Sequence, residues 1–363
     1  MKKKIVLFSI AATAFIIVIF LFNSDRLPEQ AGKRPAVSQK KLTTELFRKK
    51  LALSLRRTSS AERSAGFGFL PLLNDLADRK ISSTAFELEK IKRTASGDLF
   101  LRCMFPDISR RKLKGLENGF GLNPIQDAGR VLFTDSIDYT EMSFDDSMLK
   151  DSPDIMIKKA SRGDISVYSS SVHTGEYEGM KVFHQTDIMG VYDENIIISG
   201  NDHDIWKEIN HLQEKKPLST SGLFNEQDAA NDIYGYLDPT ELKRVFSRDS
   251  DVLQKFSDMV EWSKFGVTFS DDSVHMELTV NCTDSVSTFF IANAFSTLLT
   301  GLRIKALFHE DPGVPEIMSK FQVEREGETV IVSSDIPLDL LNSTILPHCK
   351  DEGEPAQKDP EEP

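Results

Sequence analysis

The chain has 363 residues, 40% of them apolar and 28% charged, enough to bury one large domain or two smaller ones. Its net charge of −12 conceals a split, because residues 1–65 hold fourteen Lys or Arg against four acids while the remainder holds thirty against fifty-two. A body that acidic, with no basic stripe, argues against a nucleic-acid partner, since phosphate contacts need Lys and Arg.

Behind Met1-Lys2-Lys3-Lys4, the run Ile5 to Phe22 carries no charge, with Ser9 and Thr13 as its polar interruptions. As a helix these 18 residues rise about 27 Å, close to the ~30 Å hydrocarbon core of a bilayer. Ile5, Phe8, Phe15, Ile19 and Phe22 are the expected membrane residues. A cleaved signal peptide and a buried helix are the competing readings. Bulky Phe20-Leu21-Phe22 stands where a cleavage site wants small residues, and no cysteine follows for lipid modification. The lysine cluster favours a cytoplasmic N-terminus, opposed by Arg26, Lys33, Arg34, Lys40 and Lys41. The expectation is a single-pass protein of the inner (plasma) membrane, its C-terminal body extracytoplasmic.

Residues 23–40, with Pro28, Gly32 and Pro35, read as a linker. Leu42, Leu46, Phe47, Leu51 and Leu55 then recur at helical spacing between Lys49, Lys50, Arg56 and Arg57. This basic amphipathic helix, 41–57, either lies on anionic lipid beside the anchor or packs its leucines on the body. The body runs from about 66 to 346, and the tail 350–363, with no large apolar side chain, is expected to stay disordered.

Within the body, Phe86–Ile91 and Leu99–Cys103 read as strands around a turn at Ser96-Gly97-Asp98, followed by a helix over 109–118 capped by Asp107 or Ser109. Val191–Ser199 reads as a hairpin with an acidic turn, leading through Asp202 and Asp204 into a helix over 205–212. Phe265–Phe269 and Val274–Val280 pair around Ser270-Asp271-Asp272, and Asp284 caps a helix over 286–302. Val323–Ser333 is again a hairpin, leading through Asp335 into a helix over 338–342. The fold class expected is α+β. An N-terminal transmembrane helix precedes two degenerate copies of a hairpin and helix unit with mainly antiparallel sheets, over 66–215 and 225–346. The first copy holds an insertion near 127–172; chance likeness of ordinary hairpins is the alternative.

Glu178–Phe183, the Ile196–Ser199 strand, the helix to Leu212, Pro217-Leu218-Ser219 and Ile233–Pro239 follow one another in an order that resembles bacterial membrane-anchored exported proteins of unknown function. The resemblance covers about residues 175–340 and implies a repeated α/β ectodomain. It supplies no catalytic residues.

Signatures of chemistry are sparse. Ser-x-x-Lys occurs at Ser38/Lys41, Ser109/Lys112 and Ser147/Lys150 without companion motifs, and no Gly-x-Ser-x-Gly elbow exists. Asn201-Asp202-His203-Asp204 could hold a cation with His211, or simply cap the helix that follows. His309-Glu310-Asp311 reads as an exposed turn, and Asp135, Asp138, Glu141, Asp145 and Asp146 as a solvated strand face. Gly66-Phe67-Gly68 and Gly119-Phe120-Gly121 lack the rest of a phosphate loop. Tyr234 and Tyr236 read as core and edge residues, and Cys103, Cys282 and Cys349 imply no disulfide framework. No cofactor or metal is expected. The function expected is non-enzymatic binding or scaffolding in the cell envelope. The lipid bilayer is a partner through residues 5–22, anionic lipid through 41–57, and one protein partner is unknown. The alternatives are an envelope hydrolase whose site forms only in the fold, and a membrane signalling partner using the 41–57 helix.

Overall fold

The computed structural model describes residues 69–345 apart from 104, 106–112, 114–115, 124–126, 150–154, 178–179, 193–194, 216–217, 219–221, 242–255 and 308–312. The expected anchor, the 41–57 helix and the tail therefore lie outside the described residues.

The described elements run α1 (Leu70–Asp78), β1 (Ser83–Phe86), α2 (Leu88–Ile91), α3 (Ala95–Cys103), β2 (Arg130–Thr134) and β3 (Ile137–Glu141). There follow β4 (Ile155–Arg162), β5 (Ile165–Tyr177), β6 (Met180–Tyr192), β7 (Ile196–Gly200), α4 (Asp202–Glu214), β8 (Ile233–Tyr236) and α5 (Phe256–Met259). Last come β9 (Val260–Phe269), β10 (Ser273–Cys282), α6 (Ser285–Leu307), α7 (Gly313–Ser319), β11 (Gln322–Glu326), β12 (Thr329–Pro337) and α8 (Leu338–Ile345). The fold is mixed α and β on an antiparallel sheet. All twelve strands belong to it, in the order β11-β12-β10-β9-β8-β1-β2-β3-β7-β6-β5-β4.

Strand periodicity sends alternate side chains to opposite faces, so this sheet has two cores. Phe86, Val131, Phe133, Ile197, Val267 and Leu278 point to one face, under α2, α3, α6, α7 and α8. Ala85, Leu132, Tyr139, Ile198 and Tyr234 point to the other, under α1 and α4. The first face is rich in rings: Phe86 lies 5.5 Å from both Phe105 and Phe133, and Phe100 lies 5.4 Å from Phe269. That last contact ties α3 to β9 across the middle of the sheet.

The later hairpins and helices match the sequence reading. β9 and β10 turn at 270–272, where the Ser270 hydroxyl accepts from the Ser273 amide at 3.0 Å. Asp284 caps α6 by accepting from the Ser287 amide at 2.7 Å. β6 and β7 pair from Tyr192 and Ile196, and β11 and β12 turn at Gly327, whose φ of 61° suits glycine.

Two early elements correct it. Only Ser83–Phe86 is a strand; Leu88–Ile91 and Ala95–Cys103 are helices. Leu88 and Ile91, three apart, both turn into the first core with no exposure, which a strand would send to opposite faces. The stretch read as an insertion supplies β2 and β3, which lie near the middle of the sheet, as well as β4 and much of β5.

Candidate functional site

The densest convergence of charged side chains lies between α1, α4 and β3. Helical spacing puts Asp75 and Arg79 on one side of α1, and Glu208, His211 and Lys215 on one side of α4. Arg79 donates to both Glu208 oxygens at 2.8 Å. Tyr139, rising from β3, donates its hydroxyl to Glu208 Oε1 at 2.6 Å. Asp75 faces His211 Nε2 at 2.9 and 3.0 Å, and Arg79 Nε approaches it to 2.9 Å without hydrogen-bond geometry. Lys215 Nζ stands 3.8 Å away.

Electrostatics follow from burial. Desolvation opposes the charge of Arg79, but the Glu208 hydrogen bonds and charge outweigh it and raise the guanidinium pKa. Burial, then the neighbouring Glu208 charge, holds the Tyr139 phenol well above its ordinary value. The phenol therefore acts as a donor, and Glu208 is fully engaged as an acceptor.

A second arrangement of the same three residue types closes the far end of the seam between β1, β2 and β8. Tyr234 donates to Glu87 Oε1 at 2.9 Å, while Arg130 bonds Glu87 at 2.8 Å and Glu141 at 3.1 Å. Beside it, Asp232 accepts from the Phe269 amide at 2.7 Å, and its burial raises its pKa. In both places a buried carboxylate is spent on a guanidinium and a phenol. Asp75 and His211 have the geometry of a base and its orienter, yet among the described residues no Ser, Thr or Cys hydroxyl or thiol bonds that imidazole. Such a constellation suits fastening helices to the sheet.

The sequence-derived candidates fall as follows. Ile5, Phe8, Phe15, Ile19, Phe22, Lys49, Lys50, Arg56 and Arg57 lie outside the described residues, as do Gly66-Phe67-Gly68 and His309-Glu310-Asp311. Asn201 caps α4 by accepting from the Asp204 amide at 3.0 Å, and His211 turns to Asp75 instead of joining that loop. Gly119 is a packing site: its carbonyl accepts from Ser170 at 2.7 Å, and a Cβ there would press on Asp187.

Three readings are corrected. Asp138 is buried, 4% exposed, and not on a solvated face, although Asp146 is exposed and bonded by Lys159 at 2.9 Å and Tyr168 at 2.6 Å. Tyr236 is no edge residue, because β8 is an inner strand; burial, then the Asp238 charge, lifts its phenol to about 12. Cys103 is disulfide-bonded, whereas Cys282 is free and fully buried, its thiol raised by burial to about 11. The glutamate–arginine clusters escaped the sequence reading. Asp75 and Arg79 at i,i+4 were the available signal, but their partners sit about 130 residues away.

No family model and no curated protein matches this chain. Among solved structures, crystal form I of TP0453 is similar at 11% identity and a TM-score of 0.39, covering 73% of this chain and 92% of that one. Crystal form III of TP0453 gives 11% identity and a TM-score of 0.38, covering 73% and 93%.

Proposed function

We propose that this chain is a membrane-tethered, non-enzymatic binding or scaffolding protein of the cell envelope, held by residues 5–22 with its body outside the cytoplasm. One combination carries the reading: an uncharged run at Ile5–Phe22 precedes a body in which Cys103 is disulfide-bonded. Disulfides persist in oxidising compartments, so the bond supports an extracytoplasmic body. The basic 41–57 segment would rest on anionic lipid beside the anchor. The paired charges around Glu208 and Glu87 support a structural use of the most polar regions.

The body is read as two degenerate copies meeting at β1 and β8. Outward from that seam the order is β1-β2-β3-β7-β6 on one side and β8-β9-β10-β12-β11 on the other. β4 and β5 would then be an addition to the first copy. The closing helices differ, since α4 packs on one face of the sheet and α8 on the opposite one.

The test is a C-terminal alkaline phosphatase fusion with sodium carbonate extraction of membranes. Active fusion retained in the carbonate-resistant pellet is expected. An inactive fusion, or protein released to the supernatant, rejects the reading. In-cell crosslinking on the same strain would identify the bound protein.

A further inference from the structure

The chain holds three cysteines, at 103, 282 and 349. Cys103, the last residue of α3, is disulfide-bonded, while Cys282 at the end of β10 is free and fully buried. The structure contains a single chain, so the bond is internal to it. Cys349 lies outside the described residues, four positions beyond the end of α8 at Ile345.

We infer that Cys103 is joined to Cys349, and that this bond is a reducible clasp fastening the end of the second half to the first. The fold brings the two within reach. Both helices leave one turn, the connection between β9 and β10. At the start of α3 the Ser96 hydroxyl donates to the Ser270 carbonyl at 2.6 Å, and at the start of α8 the Leu338 amide donates to the Asp272 carbonyl at 2.7 Å. Both helices also lie on one face of the sheet, since Leu99 and Phe100 share the first core with Leu340 and Leu341. α3 packs on β9 and α8 on β12, with β10 alone between those strands, which therefore stand about 10 Å apart. Four residues span up to about 13 Å, and a disulfide needs its Cα atoms within about 7 Å. Cys282 fits less well on distance alone. It ends β10 about 30 Å from that turn, whereas α3 is only about 12 Å long.

The loop closed from Cys103 to Cys349 contains every strand except β1. α8 is eight residues long and stands at the end of the body, where fraying concentrates. The Asp272 carbonyl holds one end of it, and the clasp secures the chain just beyond the other. A dithiol reductant would give two electrons to the bond, leaving both cysteines as thiols and itself becoming a disulfide. The end of the second half would then depend on packing against β12 and α7.

The experiment uses the whole chain, extracted in dodecyl maltoside with N-ethylmaleimide present to stop exchange. Tryptic digestion without reductant should give peptide 103–110 joined to peptide 326–350, with peptide 265–303, which carries Cys282, on its own. A Cys103–Cys282 pair, a dimer linked through Cys103, or a free Cys103 overturns the pairing; the last of these alone also removes the argument for an oxidising compartment. Hydrogen exchange tests the clasp. Dithiothreitol should speed exchange of the α8 amides at least about tenfold more than that of α4, on the opposite face. An equal effect on both helices overturns it. C103S, C349S and the double variant should each lower the thermal midpoint by one and the same amount, about 5–10 °C. A double variant that falls by the sum of the two singles would mean two separate packing losses in place of one lost bond, and would overturn the pairing too.

Discussion

Replacing Glu208 with alanine removes the acceptor for two Arg79 bonds of 2.8 Å and for the Tyr139 hydroxyl at 2.6 Å. The phenol is fully buried, so its hydroxyl is left with no partner, at a cost of about 1–3 kcal/mol. Arg79 keeps Asp75 and an opening to solvent, its side chain being 22% exposed, so its share falls near the lower end of the ~3–5 kcal/mol for breaking a buried pair. The two costs overlap, and a total of about 3–4 kcal/mol is expected for E208A. Removing the hydroxyl as well should recover part of it: E208A/Y139F is expected to be about 1 kcal/mol more stable than the sum of its single substitutions predicts. Urea unfolding of the full chain in micelles, followed by tryptophan fluorescence, supplies the four free energies; Trp206 lies on α4 and reports the region directly. A loss below about 1 kcal/mol for E208A, or strict additivity in the cycle, would refute the claim that this cluster fastens α1 and α4 to the sheet.

Further consequences can be measured alongside. Cys282 has a folded-state pKa of about 11 against 9.0 unfolded, so its stabilising contribution is complete below pH 9 and lost as pH rises toward 11; C282A should flatten that part of the alkaline stability profile, and the native thiol should resist iodoacetamide at pH 8. Peptide mapping without reductant should find the Cys103 peptide crosslinked and the Cys282 peptide alkylated only after denaturation; a free Cys103 in protein taken from cells would remove the compartment argument. At Gly235 a Cβ would collide with the Ser83 carbonyl oxygen and stand 2.9 Å from the Phe265 ring, so G235A should cost more than about 2 kcal/mol in the same urea assay, the direction being set by overpacking at the seam.

Local signals carried the C-terminal half of the fold well. Asp284 before an uncharged run, Gly327 between two alternating segments and three polar residues at 270–272 each fix their element within a few residues of sequence. The first half misled because its pieces are short. Phe86-Glu87-Leu88-Glu89 alternates as a strand does, and it is the burial of Leu88 and Ile91, three apart, on one face that marks the helix. The charged cluster was half visible: spacing on α1 and on α4 can be read, but the meeting of Arg79 with Glu208 depends on α1, over β1 and β8, being brought beside α4, over β6 and β7. The most non-local feature, β1 lying against β8, leaves no trace in either strand's own four residues.

That seam has a kinetic consequence. Ser83 pairs with Tyr236 and Phe86 with Ile233, so one border of the first half has no neighbour until about 150 further residues have been made. At ~5–20 residues per second, synthesis alone leaves this border bare for roughly 8–30 s, long enough for a sticky β-edge to recruit a stray strand. The border is only four residues long, Ser83-Thr84-Ala85-Phe86, with a single large apolar side chain, too brief to template an aggregate. Shortness at the join thus protects the nascent chain while it waits for its second half.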